Sequence, residues 1–101
     1  MRGLLLRNNS TYTGREGKTD WWEWTAYIDA DADQLKEVDY IEYHLHQSFR
    51  RPIRRVKRRA GGFPLTMRGW GTFELVAKVV WKDRTREPEL LRHMLEFADS
   101  E

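Results

Sequence analysis

Apolar and polar residues alternate with a period of two along several stretches of this chain. Trp22, Trp24, Ala26 and Ile28 alternate with Glu23, Thr25, Tyr27 and Asp29. Ile41, Tyr43 and Leu45 alternate with Glu42, His44 and His46, and Thr72 to Trp81 is dense in β-branched and aromatic residues. Successive side chains of a strand point to opposite faces, so each stretch reads as a strand with one face in a core. Leu4 to Leu6 begins a further strand that runs through Thr11 to Thr13. The breaks fit this reading. Gly14 to Lys18 is a polar turn, and Ala30 to Lys36 has room for one helical turn. Pro52, Gly61, Gly62, Pro64, Gly69 and Gly71 cut the middle into short extended pieces, and Lys82 to Arg86 is a charged hairpin connection. Leu90, Leu91, Met94, Leu95 and Phe97 could form a helix face, but pairing across that hairpin makes a strand the preferred reading. Six to eight short strands with turns at regular spacing predict an all-β, immunoglobulin-like antiparallel β-sandwich. Ile41, Tyr43, Leu45, Phe73, Leu75 and Ala77 are its expected core.

A chain of 101 residues is expected to form a single domain over 1–101, with its core within 3–97. The absence of cysteine excludes disulfides and thiolate metal sites, and fits a reducing compartment. No apolar run approaches the length of a membrane span, so a cytoplasmic protein without membrane contact is expected. The net charge of +2 hides two opposed patches. Arg50, Arg51, Arg54, Arg55, Lys57, Arg58 and Arg59 crowd one segment, after an acidic one formed by Asp29, Asp31, Asp33, Glu37 and Asp39. Five tryptophans, four tyrosines and four phenylalanines must either fill the core or line a site.

Two segments are more specific than composition. The first is His44-Leu45-His46-Gln47-Ser48-Phe49-Arg50-Arg51-Pro52, which follows a strand. The second is Gly69-Trp70-Gly71-Thr72-Phe73, which opens one; Gly62-Phe63-Pro64 lies between them. This arrangement resembles the YEATS family, in which a strand ends in a His-x-Ser-Phe loop. There the chain continues through a Pro-basic segment and an apolar-Pro turn, and re-enters the sheet after a Gly-aromatic-small-x-Phe loop. Trp22-Glu23-Trp24 looks like that family's strand with a fixed Trp. The likeness spans roughly residues 3–97 and points to a prokaryotic member.

The resemblance implies a non-catalytic reader of acylated lysine, of the acetyl or crotonyl type, with an aromatic slot at one end of the sandwich. Its ligand-binding residues would be His46, Ser48, Phe49, Trp70 and Gly71. The Ser48 hydroxyl and a backbone N–H near Trp70 would bond the amide carbonyl, and Phe49 and Trp70 would flank the flat acyl group. Where the family commonly carries a further aromatic, this chain has Asp20; the neighbouring Trp21 would take the role. Glu89 resembles a family acidic residue near the slot, and would hold the peptide backbone or His46.

Other readings remain open at this point. His44 and His46 form half a metal site, but no third ligand is suitably spaced, so neither metal nor cofactor is expected. Ser48 with His46 suggests a nucleophile and base, yet no orienting acid follows, so no enzyme is expected. The chain could instead be a bacterial signalling or defence module that keeps the fold without reading acyl groups. The basic segment could be a solvated rim strand with its arginines outward and Ile53 and Val56 as anchors, or it could meet an acidic partner or nucleic acid.

Overall fold

The computed structural model describes residues 3–98. The alternating stretches become strands whose apolar faces meet. In chain order they are β1 (Leu5–Glu16), β2 (Thr19–Asp29), β3 (Val38–His44), β4 (Ile53–Val56), β5 (Leu65–Gly69), β6 (Glu74–Trp81) and β7 (Glu89–Met94), with one short helix, α1 (Ala32–Lys36), before β3. They form two antiparallel sheets, ordered β1-β2-β5 and β4-β3-β6-β7. This is the expected sandwich. Glu89 to Met94 is a strand because it pairs with β6 across the charged hairpin.

Trp24, Ala26 and Ile28 of β2 face Ile41 and Tyr43 of β3 and Leu75, Ala77 and Val79 of β6, all buried. Val38 is buried too, although it lies an odd number of residues from Ile41. A register shift between Val38 and Tyr40 supplies the extra residue that returns both to the same face. Leu45 is buried as expected, whereas Phe73 precedes β6 and is half-buried at the sandwich end. The expected turn at Gly14 to Lys18 is shorter than predicted, because β1 continues to Glu16 and only Gly17 and Lys18 turn.

Gly62 shows why the crossing from β4 to β5 has its sequence. Its φ is +86°, and a Cβ there would lie 2.4 Å from the Ile28 carbonyl oxygen, so only glycine fits. The Gly62 carbonyl accepts the Ile28 N–H at 2.8 Å. Phe63 then plugs the core, and its carbonyl accepts the buried Tyr43 hydroxyl at 2.6 Å. Burial pushes the Tyr43 phenol well above its ordinary pKa.

The side where β1 faces β7 is closed by side chains. Asn8 donates to the Glu96 carbonyl at 2.8 Å and accepts the Glu96 N–H at 3.0 Å. The Ser10 hydroxyl accepts the Ala98 N–H, and the Trp22 indole N–H donates to the Ala98 carbonyl. Trp22 also stacks on Phe97 with ring centroids 4.9 Å apart. The segment after β7 is thereby stapled to β1 and β2 without a backbone ladder.

The basic segment departs from expectation. Only Ile53–Val56 is a strand, and Ile53 is exposed. Residues 53 and 56 are an odd distance apart, so a strand cannot point both inward; the half-buried pair is Arg54 and Val56.

Candidate functional site

Strands β3 and β6 are antiparallel, so the end of β3 lies beside the start of β6, with His44 opposite Val76. Strand β5 ends at Gly69, opposite Trp22 near the start of β2. The loop after β3 and the loop between β5 and β6 therefore emerge side by side at one end of the sandwich. They enclose a cavity of about 410 Å³ lined by Trp21, His46, Ser48, Phe49, Arg50, Arg68, Gly69, Trp70, Gly71, Thr72 and Phe73. Of the sequence-derived candidates, His46, Ser48, Phe49, Trp70, Gly71 and Trp21 all reach it.

Its base is an aromatic cluster. Phe49 and Phe73 lie 5.6 Å apart between centroids, and both meet the buried Trp24 edge-on. The His46 ring sits 6.1 Å from Phe73. Such tilted and edge-on pairs are the favoured aromatic geometries, so the base is preorganised. Trp70 stands above, with 64% of its surface exposed, and so forms a wall instead of a plug. A Cβ at Gly71 would meet nothing within 4 Å, so the mouth beside Trp70 is open. The Trp24 indole N–H is buried and has no hydrogen-bond partner among the described residues; it lies beside Gly69, beneath the cavity.

The polar groups are few. His46 Nδ1 accepts the Ser48 N–H at 3.1 Å and lies 2.9 Å from the Ser48 hydroxyl. A nitrogen that accepts a backbone N–H carries no proton, so the hydroxyl hydrogen also turns to Nδ1. The Ser48 oxygen, in the cavity lining, then keeps capacity to accept a hydrogen bond. No carboxylate lines the space, whereas two guanidiniums, Arg50 and Arg68, do. Arg68 lies over the Trp21 ring at 4.4 Å and pairs with Glu16, fixing Trp21 at the rim. Sequence reasoning had not assigned Arg68, Thr72 or Phe73 to the site, although all three flank or belong to the Gly69–Phe73 segment.

Three positions lie elsewhere. Glu89 does not reach the cavity. It pairs with Val79, and the cavity end of β7 is Met94, five residues or roughly 17 Å away along a strand. Asp20 accepts the Tyr12 hydroxyl and the Arg15 guanidinium, and these bonds hold its carboxyl below the usual range. His44 bonds Glu42 instead of pairing with His46. Burial raises the Glu42 carboxyl, but the bonds from His44 and Arg55 outweigh it and leave the pKa lowered. Among the described residues, no group of three or more His, Cys, Asp or Glu could hold a metal ion, and no helix is long and apolar enough to cross a membrane.

Comparison with known proteins agrees with this architecture. A yeast AF-9 homolog, Yaf9, superposes with a TM-score of 0.78 at 18% identity, covering 96% of this chain and 68% of the other. The Yaf9 YEATS domain bound to H3K27ac gives 0.74 at 19% identity over 95% of this chain and 75% of that one. The Yaf9 YEATS domain recognizing an H3K122suc peptide gives 0.74 at 19% identity, over 96% and 77%. At such identities these structures establish the shared fold. A family profile described as the prokaryotic YEATS domain matches residues 22–93, which include most of β2, all of β3 to β6, most of β7 and both cavity loops, but not β1. The chain belongs to the prokaryotic YEATS domain family.

Proposed function

We propose that this domain is a non-catalytic module that holds an acylated lysine, of the acetyl or crotonyl type, between Phe49 and Trp70. The observation that carries this reading is the cavity itself: flat aromatic walls, the Ser48–His46 pair, two guanidiniums and no carboxylate among its lining residues. A lysine ammonium entering it would lose its hydration and meet Arg50 and Arg68. A neutral acyl-amide loses far less, and its planar group stacks on the rings. The orientation of the Ser48 hydroxyl toward His46 refines the role drawn from the resemblance. Ser48 is suited to accept the ligand's amide N–H, which leaves the carbonyl for a backbone N–H of the Trp70–Gly71 loop. The likeness to Yaf9 domains seen with acylated histone peptides supports a modified-lysine partner. The same Ser48–His46 pair lacks an acid to orient it within the cavity lining, which supports recognition over hydrolysis.

Calorimetric titration with acetyl-lysine, crotonyl-lysine and unmodified peptides tests the proposal. Saturable binding of the acylated peptides alone is expected. Trp70→Ala should cost about 1 kcal/mol or more by removing the stacking wall. Ser48→Ala should cost about 1 kcal/mol by leaving the amide N–H without an acceptor. Both variants should stay folded, because the two side chains are exposed loop residues. Equal binding of the unmodified peptide, or no saturation at millimolar peptide, would overturn the reading.

A further inference from the structure

The arginines of this domain divide into two populations. Outside the basic segment, each described arginine (Arg7, Arg15, Arg68, Arg84, Arg86 and Arg92) is paired with a carboxylate. Within it, Arg55 alone has one, Glu42. Arg54 turns its guanidinium back onto the Arg50 and Arg51 carbonyls, both at 2.9 Å, and holds the bend in which Arg51 has a positive φ of 59°. Arg50, Arg51, Lys57, Arg58 and Arg59 are exposed and have no carboxylate partner among the described residues. A fold that neutralises its arginines elsewhere leaves five cations uncompensated in one segment, of which Arg50 lines the aromatic cavity and the other four share a second place.

That place is an open sheet edge. Among the described residues, strand β4 ends the four-stranded sheet and pairs with β3 alone. The Leu45 N–H donates to the Pro52 carbonyl at 2.7 Å, which makes Leu45 and Pro52 a hydrogen-bonded pair. Such pairs alternate in an antiparallel ladder, so Tyr43–Arg54 and Ile41–Val56 are the next two. The N–H and C=O groups of Ile53 and Arg55 therefore point away from β3, toward solvent. Beside them is a groove of about 630 Å³, with Pro52, Ile53, Val56 and Leu65 among its walls; Leu65 comes from the edge of the other sheet. Ile53 is 58% exposed.

We infer that β4 is a strand-accepting edge for an extended acidic peptide of alternating acidic and apolar residues, which adds as a fifth strand. Backbone groups of Ile53 and Arg55 supply the ladder, the groove takes apolar side chains, and Arg51, Lys57, Arg58 and Arg59 take carboxylates. The like charges keep two copies of this edge apart, so the edge is selective for a strand of opposite sign. Nucleic acid fits less well. No aromatic ring lines the groove for bases to stack on, and phosphate contacts would leave Ile53 and the edge amides unused.

Fluorescence anisotropy with a fluorescein-labelled Glu-Val-Glu-Val-Glu-Val-Glu peptide tests the inference, with 20-mer oligothymidylate as the competing probe. Saturable peptide binding is expected, weakened at least tenfold in an Arg51→Ser, Lys57→Ser, Arg58→Ser, Arg59→Ser variant whose acetyl-lysine titration is unchanged. Ile53→Pro removes an outward N–H without touching the β3 ladder, and should also weaken binding tenfold. Should that variant unfold, the same peptide with N-methylated backbone amides is titrated against the unaltered protein and should bind at least tenfold more weakly. Equal binding of the N-methylated peptide would show attraction by charge alone and overturn the strand. Tighter binding of oligothymidylate, or no peptide binding at millimolar concentration, would overturn the acidic partner.

Discussion

On the β1–β7 side of the sandwich, the backbone of Glu96 and Ala98 is bonded to the side chains of Asn8, Ser10 and Trp22. On the β4–β5 side, the chain crosses between sheets through Gly62 and Phe63, and the outer groups of β4 face water. Both sides of a sandwich present unpaired strand edges, and each must be covered or guarded. The first is covered by polar side chains that imitate a ladder. The second is guarded by charge alone, and its loop is held from beneath, by Ile28 and Tyr43. One side is closed by side-chain bonds, and the other keeps an open strand edge.

The sharpest way to break the β4–β5 side from beneath is Gly62→Ala. The positive φ and the 2.4 Å approach to the Ile28 carbonyl together should cost about 3 kcal/mol or more, read as a fall in the urea midpoint. Gly71→Ala, with open space around its Cβ, should cost far less and serves as the control.

On the covered side, Asn8→Ala removes both bonds to Glu96 and the contact to His93, and should cost about 2 kcal/mol. Hydrogen exchange should then accelerate at the Glu96 amide while the β3 amides stay protected. If Glu96 exchanges no faster, the side-chain staple is not what closes that side.

Tyr43→Phe should cost about 1 kcal/mol at neutral pH, by leaving the Phe63 carbonyl unpaired. It should also change the alkaline limb of stability. The folded phenol is raised above its ordinary 10.0, so its stabilisation is complete below that pH and is lost as pH rises beyond it. Denaturation midpoints measured upward from pH 9 should fall with pH in the unaltered protein, and fall less in the variant.

The smallest effect is expected from the fourfold serine variant at Arg51, Lys57, Arg58 and Arg59. Exposed cations without carboxylate partners contribute little to folding, so stability should stay within about 0.5 kcal/mol. A loss much larger than that would mean the basic segment is structural, and would remove the contrast between the two sides.

The sandwich was legible in the chain because alternation is a local property: residues 22–28 and 41–45 carry their inward face in their own spacing. The residues that line the cavity were named by the resemblance, and the structure brings His46, Ser48, Phe49, Trp70 and Gly71 together because both loops leave strand ends on one side of the sandwich. The two misses have different causes. Glu89 was placed by resemblance, but its position depends on the register of β7 against β6, which sends it toward the other end. Ile53 and Val56 cannot share one strand face, being three residues apart, and the structure turns Arg54 and Val56 inward.

Charge compensation lay further from reach. Arg84 meets Asp39 and Arg68 meets Glu16 only because non-adjacent strands and loops are brought together. The chain's own spacing determined which face of most strands turns inward, while the resemblance pointed to the two loops that line the cavity. Only the tertiary structure decided which cations are neutralised and which edge stays open, because strand order and register are set by contacts between residues far apart in sequence.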